Sequence, residues 1–325
     1  MDALTVKNLI NSYAGRGEPF VFGLNYACTE GFFHPRPLEQ TGVLWEMDGT
    51  GNASLAVMPE RKGTVFQPQY ISRKQYETSF DVIMRHLRRG DTFLANLTAR
   101  TPVDTDYSFE EIFLRSRSRF RILLPGHFVC FSPEIFVNIC PDGRISSHPM
   151  KGTISALVED AGRKILEDYK ETAEHMTIVD FIRSDLSCIS RNVHVRRLRY
   201  IDTIVSSKGP VLQVSSEICG QLPDGWRNSL GDLLMEILPA GSISGAPKCA
   251  TVKAIEEAEQ YDRDYYTGIF GYFDGSGLKT AVLIRYIGLA SDGRTYFYSG
   301  GGITVNSRCE DEYKELCDKV YVPWM

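Results

Sequence analysis

Strand-length apolar runs arrive in blocks joined by tight polar turns, and helix-length amphipathic stretches arrive in blocks of their own. FRILL (120–124), HFVCFS (127–132) and EIFVNI (134–139) follow one another, and PDGR (141–144) makes a turn before ISSHPM. Farther on, YTGIFGYF, a DGSG turn, LKTAVLIRYIGL, an SDG turn and TYFYSGG read as hairpins. Residues 1–75 also read as β-rich, because PFVFGLNYA, GVLWEM and ASLAVM alternate with Gly- and Pro-rich turns. Over 73–90, Tyr76, Phe80, Ile83, Met84 and Leu87 fall at helical spacing and Gly90 supplies a stop. Further helices are expected from Ser108 and over 158–190, 227–237, 246–260 and 309–320. Because strands and helices do not alternate one for one, the pattern predicts an α+β fold of antiparallel sheets and outer helices, not a doubly wound parallel sheet. No linker divides the chain, so residues 1–325 read as a single domain.

Charge narrows the function. Thirty-six Lys and Arg against 41 Asp and Glu give a net charge of −5, which is no electrostatic footprint for nucleic acid. The arginine clusters at Arg85, Arg88 and Arg89, at Arg115, Arg117, Arg119 and Arg121, and at Arg196, Arg197 and Arg199 therefore read as solvated faces. No apolar run approaches the roughly 18 residues of a membrane span, and the start lacks a signal-peptide layout, so a cytoplasmic protein is expected. The eight cysteines form no C-x-x-C pair and read as free thiols, and the six histidines form no zinc pattern. The glycine runs match neither a phosphate-binding nor a dinucleotide-binding loop.

Several residues could carry chemistry. Glu171 with Glu174, and Glu312 with Glu315, are pairs three apart, so each pair shares one helix face. Brought together, two such faces would make an oxygen-only site suited to Mg²⁺, although solvated glutamates show the same spacing. Lys151 in HPMKGTIS is either a surface lysine or a desolvated nucleophile. Glu134 in SPE lies at a strand junction and could serve as a general acid. PAGSISGAPK (239–248) permits a tight turn before a helix, and Gly300, Gly301 and Gly302 would let backbone N–H groups approach a carboxylate.

The order of these pieces carries a resemblance. SPEIFV, HPMKGT, AEHMTIVDFIRSDL, LPAGSISGAPK, YYTGIFGYF, IRY and GGGITVNS…EDEYKELCDK together resemble the chorismate-utilising enzymes, over residues 78–320. That family contains the large subunits of anthranilate and aminodeoxychorismate synthases and the isochorismate and salicylate synthases. The resemblance implies the anthranilate-synthase-component-I-like fold. It also implies Mg²⁺ held by Glu174 and Glu315 with Glu171 and Glu312 assisting. Tyr266, Arg285 and the amides of Gly300–Gly302 would clamp the enolpyruvyl carboxylate, with Thr153, Lys248 and Lys319 also at the substrate. Lysine at the position of Lys151, where most branches have alanine, resembles the aminodeoxychorismate-forming branch, in which it attacks carbon 2 of chorismate. The water-activating lysine of the isochorismate branch is replaced by Leu94, or by Ala95 if the alignment slips by one.

The implied reaction converts chorismate and ammonia to 4-amino-4-deoxychorismate for p-aminobenzoate and folate synthesis, with Lys151 as nucleophile and Glu134 as acid. Lys151 must then be neutral, which predicts a dry pocket and a lysine pKa lowered from about 10.4 toward 7–8. No G-x-C-x-G glutaminase turn is present, so ammonia is expected from a separate glutamine amidotransferase. An anthranilate-type subunit and a non-catalytic chorismate- or amidotransferase-binding paralogue are the alternatives. Three departures from the family pattern stand out: Gln213 replaces a histidine, Ser184 an asparagine, and GTISA the usual G-T-R-x-R. The N-terminal part is shorter than in typical large subunits, which makes feedback by tryptophan doubtful.

Overall fold

The computed structural model of the chain describes residues 1–53, 65–206 and 209–323. Among the described residues, two nine-stranded sheets, antiparallel throughout, lie face to face with helices on their outer sides. This is the predicted α+β arrangement. The first sheet runs Met150–Ser155, Gly209–Gln221, Arg144–Ser147, Ile135–Ile139, Leu278–Val282, Ile269–Phe273, Phe20–Leu24 and Gly31–Pro35, with Arg191–Ser206 added beside Gly209–Gln221. The second is built around Leu94–Thr105, Thr295–Ile303, Tyr286–Leu289, Phe128–Ser132, Phe120–Leu124 and Leu44–Met47.

Side-chain alternation explains the layering. Phe20, Phe22 and Leu24 pack under the outer helices, whereas Val21 between them packs into the layer between the sheets. In the second sheet Phe128 and Cys130 face the other sheet, and Val129 and Phe131 face outward to a separate core. The helices Arg73–Arg89, Lys248–Glu259 and Cys309–Asp318 cover Ala95, Leu97, Ala99 and Ile303. The helix Tyr169–Ile189 covers the first sheet through Val179, Ile182 and Leu186.

Most helices fall where expected. Arg73–Arg89 has a capping box from Ser72 and Gln75 and stops at Gly90 in the left-handed region. The stretch expected as one helix over 158–190 is two, Ala161–Glu167 and Tyr169–Ile189, because Asp168 is extended and caps the second through Oδ1. The β-rich reading of 1–75 needs correction at its start. Residues Ala3–Arg16 form a helix, capped by Asp2 and ended by Gly17 at φ +69°. Its Ala3, Val6, Ile10 and Ala14 are buried, and Val6 and Ile10 each stabilise the docking by about 1.5–3 kcal/mol. Most of ASLAVM lies outside the described residues.

Two strand assignments also change. LKTAVLIRYIGL is not one strand: Leu278–Val282 belongs to the first sheet and Tyr286–Leu289 to the second. Arg285, at φ +55°, takes the left-handed conformation at the crossing. The long hairpin Arg191–Ser206 with Gly209–Gln221 was not expected, because its polar sequence lacks a strand's apolar alternation.

Candidate active site

Two crossings between the sheets lie side by side. Pro133–Glu134 joins Phe128–Ser132 to Ile135–Ile139, and Leu283–Arg285 makes the other link. The Val282 N–H donates to the Glu134 carbonyl at 3.1 Å, and the Phe131 N–H donates to the Arg285 carbonyl at 3.1 Å. Backbone pairing therefore holds Glu134 and Arg285 in one junction. Ser242 Oγ donates to Glu134 Oε1 at 2.8 Å, which fixes the carboxyl against the turn of PAGSISGAPK. Burial pushes the Glu134 carboxyl above its ordinary range, against the opposing pull of Ser242, Arg285 and Lys319. A carboxyl that holds its proton more tightly than usual suits a general acid.

Lys151 lies where the pairing of Met150–Ser155 with Gly209–Gln221 slips, between Met150 and Thr153, and Gly152 sits there at φ +87°. Such an irregularity re-aims a side chain. Lys151 Nζ reaches Glu174 Oε2 at 2.8 Å, where Glu174 is 6% exposed. Glu171 and Glu174 stand in the first turns of Tyr169–Ile189, and Glu312 and Glu315 on Cys309–Asp318. Lys319 Nζ bonds Glu315 Oε1 at 2.6 Å and the Gly300 carbonyl at 2.7 Å, tying the second helix to the glycine strand. A Cβ added at Gly301 would stand 3.5 Å from Lys319 Nζ, 3.6 Å from Glu315 Oε1 and 3.7 Å from Glu312 Oε2. Gly301 thus leaves the space over these groups clear.

The expected low pKa of Lys151 is not what this arrangement gives. Burial lowers it, but Glu174, then Glu315 and Glu171, outweigh burial and hold the ammonium well above the ordinary lysine range. Lys319 moves the other way, because burial, with Arg285 and Lys151 adding to it, overcomes Glu315. Burial also raises Glu171.

The carboxylates suit a hard cation in kind. They are oxygen donors from two helices, Glu171 Oε2 is buried with no hydrogen-bond partner, and Gly301 provides the clearance. Among the described residues, no three such groups stand close enough together to hold a metal as they are placed; Lys151 pairs with Glu174 and Lys319 with Glu315.

The other expected site residues divide. Arg285 is half-buried, its Nε is buried without an acceptor, and its guanidinium lies 5.5 Å from the Tyr321 ring centre. Tyr266 is buried against Tyr286 and Tyr298, and burial pushes its hydroxyl pKa far up. Thr153 is exposed and pairs in register with Gln213. Lys248 bonds Asp185 Oδ1 at 2.9 Å and the Ile237 carbonyl at 2.7 Å, so it fastens the 237–248 turn to Tyr169–Ile189. Asp180 and Arg183 pair with each other on the surface.

Sequence reasoning missed four supporting residues. Ser242 is one. His175 is buried beside Glu174, with Nε2 2.7 Å from Ser216 Oγ, and burial lowers its pKa to about 4, so the ring is neutral. Arg263 and Glu259 form a fully buried pair at 2.6 Å. Arg263 also donates to the carbonyls of Asn96 and Ile243 and to Thr267 Oγ1, while Glu259 accepts from Thr98. Asn96 and Thr98 pair with Gly302 and Gly300, so this pair braces the glycine strand. The i,i+4 spacing of Glu259 and Arg263 is visible in sequence, but nothing there distinguishes it from a surface pair.

Comparison with known proteins adds a second line. A family model described as chorismate binding enzyme matches residues 34–323. The chain is 43% identical over 314 residues to an uncharacterized PabA-like protein of Haemophilus influenzae, covering 96% of this chain and 94% of that one. It is 32% identical over 265 residues to aminodeoxychorismate synthase component 1 of Escherichia coli, covering 77% of this chain and 57% of that protein. Among solved structures, anthranilate synthase component I from Streptococcus pneumoniae superposes with a TM-score of 0.65 at 25% identity, over 79% of this chain and 58% of that one. The menaquinone-specific isochorismate synthase of Escherichia coli gives 0.71 at 16% identity, over 97% and 80%, and so supports the fold alone.

Proposed function

This chain belongs to the chorismate binding enzyme family, and on that premise we propose that it aminates chorismate at carbon 4 to give 4-amino-4-deoxychorismate. The observation that carries the reading is Lys151, a half-buried amine 2.8 Å from Glu174 that also feels the charges of Glu171, Glu315 and Lys319, in the same site as Glu134, whose carboxyl burial pushes up. Lys151 Nζ attacks carbon 2 and its electron pair forms the new C–N bond. The ring double bond shifts, and the carbon 4 hydroxyl leaves as water with the proton of Glu134. Ammonia then forms a bond to carbon 4, the double bond returns, and the C–N bond to Lys151 breaks. Two displacements of this kind leave the enolpyruvyl group intact.

Attack requires a neutral amine, and Lys151 as placed is a bound ammonium. Glu171, Glu174, Glu312 and Glu315 are the residues that would hold Mg²⁺. Bound there, the cation would supply positive charge for the substrate's ring carboxylate and lower the charge that the glutamates present to Lys151. Arg285, whose buried Nε lacks an acceptor, is placed to fork onto the second carboxylate. Ammonia would come from a glutamine amidotransferase on another chain.

The anthranilate synthase component 1 relatives, 29–30% identical, favour a second reading with amination at carbon 2. One experiment separates the two. The chain and its Lys151→Ala variant are incubated with chorismate, Mg²⁺ and ammonium chloride, and products are read by mass spectrometry. Aminodeoxychorismate from the natural chain and little from the variant supports the first reading. Anthranilate from both supports the second. No product, even with a glutaminase subunit and glutamine, would overturn both.

A further inference from the structure

Two of the arginine clusters read from sequence as solvated faces meet in space. Arg117, Arg119 and Arg121, from the side of the second sheet, and Arg197, from the long hairpin of the first, line one open cleft of about 1440 Å³. Arg285 lines it too. Five guanidinium groups thus face a cleft with two lining carboxylates, Glu46 and Asp202, on a chain whose net charge is −5.

These arginines are not equivalent. Arg119 is held by Asp48, and Arg121 by Glu46 and the Phe113 and Ser116 carbonyls. Among the described residues, Arg117, Arg197 and Arg285 are in no ion pair; Arg197 lies 3.7 Å from the Tyr200 ring centre and Arg285 lies over Tyr321. Stacked guanidiniums keep their N–H edges and their charge available. The other members of the clusters are engaged elsewhere: Arg115 lies 5.7 Å from the Tyr107 ring centre, Arg196 pairs with Glu217, and Arg199 donates to the Leu166 carbonyl.

The cleft adjoins the catalytic groups. Met150, next to Lys151, and Pro133 and Ile135, on either side of Glu134, line it, while Arg285 also acts electrostatically on Glu134 and Lys319. A substrate with two carboxylates has to approach a site that presents Glu171, Glu174, Glu312 and Glu315. Their field repels a dianion until it is close. A neighbouring concave surface of opposite sign offsets that repulsion, because clefts lined by one charge focus the field and raise association rates by 10- to 1,000-fold.

We propose that this arginine cleft is the capture surface for the dianionic substrate, with Arg117 and Arg197 drawing it in and Arg285 passing it to the catalytic groups. The inference rests on the chorismate reading and assigns residues outside the reaction centre to substrate capture. The test is stopped-flow association of chorismate, with Mg²⁺ present, to the full chain and to the double variant Arg117→Glu, Arg197→Glu. The control, Lys74→Glu with Arg88→Glu, makes the same change in net charge on an exposed helix face. Rates are compared at about 0.01 M ionic strength, where the screening length is ~30 Å, and at about 1 M, where it is ~3 Å.

The cleft variant should associate at least about tenfold more slowly at low salt, with the deficit closing at high salt, and the control should stay near the natural rate. An unchanged rate at low salt overturns the inference. So does a loss that persists at high salt, which would mark a contact or folding defect. Product analysis keeps the two ideas apart. Amination with no effect of the arginines sinks the capture surface alone, and salt-dependent capture without amination sinks the reaction alone. Absence of chorismate binding sinks both.

Discussion

The three consecutive glycines make a sharp test of the site, because the structure gives each a different reason to be small. A Cβ at Gly300 would lie 2.5 Å from the Leu97 carbonyl oxygen and 2.9 Å from the Thr98 Cα, both backbone atoms of the paired strand. At Gly302 it would lie 3.1 Å from Leu94 Cδ1, the end of a side chain that can turn away. At Gly301 its nearest neighbours are the Lys319 ammonium and the Glu315 and Glu312 carboxylates at 3.5–3.7 Å, ordinary contact distances. Gly300→Ala must therefore push two strands apart, at a cost of about 1–3 kcal/mol for overpacking. Each kcal/mol lowers Tm by about 2–4 °C in chains of 150–250 residues, and by somewhat less in a longer one. Gly301→Ala should melt within about 1 °C of the natural chain on the same scale. Gly301→Val, whose γ carbons enter the carboxylate cluster, should keep most of its Tm and lose chorismate turnover. Thermal melts followed by circular dichroism, with chorismate consumption on the same samples, give both readings. Gly301→Ala melting as low as Gly300→Ala, or Gly301→Val turning over at the natural rate, would refute this placement of the cluster.

Further predictions concern the supporting residues. Ser242→Ala removes the hydrogen bond that favours the ionised Glu134. The pKa of Glu134, already raised by burial, should rise further, and because only the protonated acid can donate, the high-pH fall in kcat/KM should move to higher pH. A pH–rate profile that does not move, or moves down, contradicts that role. Glu259→Gln leaves the buried Arg263 charge without its partner and should cost about 3–5 kcal/mol in urea unfolding, whereas a surface pair such as Arg183–Asp180 should cost under ~1 kcal/mol. Lys248→Met should loosen the 237–248 turn and so weaken turnover through Ser242. It should leave the chorismate association rate near natural, a split that rapid mixing can detect.

How much of this was legible in the sequence follows from the range of the interactions. Hairpins with Gly-bearing turns and helices with strong apolar spacing, such as Arg73–Arg89, are set by local chemistry and stood out. The helix Ala3–Arg16 was readable too, through Asp2 before it, Gly17 after it and apolar residues at positions 3, 6, 10 and 14. The Pro- and Gly-rich pieces that follow it outweighed that signal. The break at Arg285 was not readable, because an arginine at φ +55° replaces the glycine that would mark it. The glutamate pairs, Lys151 and Glu134 were picked out by residue type and by family order. What they touch was not, since the Lys151–Glu174 pair and the high pKa it brings depend on a strand irregularity and a distant helix. The arginine clusters show the same limit: each looks like a solvated face alone, and only the tertiary fold sets them on one cleft.

The most direct test of the central claim is the mass of the protein after exposure to chorismate and Mg²⁺ without ammonia. If Lys151 is the nucleophile, the chain should gain the mass of chorismate less one water, and peptide mapping should place the adduct on Lys151. Adding ammonium should then discharge it as aminodeoxychorismate. Turnover to aminodeoxychorismate by a chain that never carries the adduct, or by Lys151→Ala at the natural rate, would contradict the account.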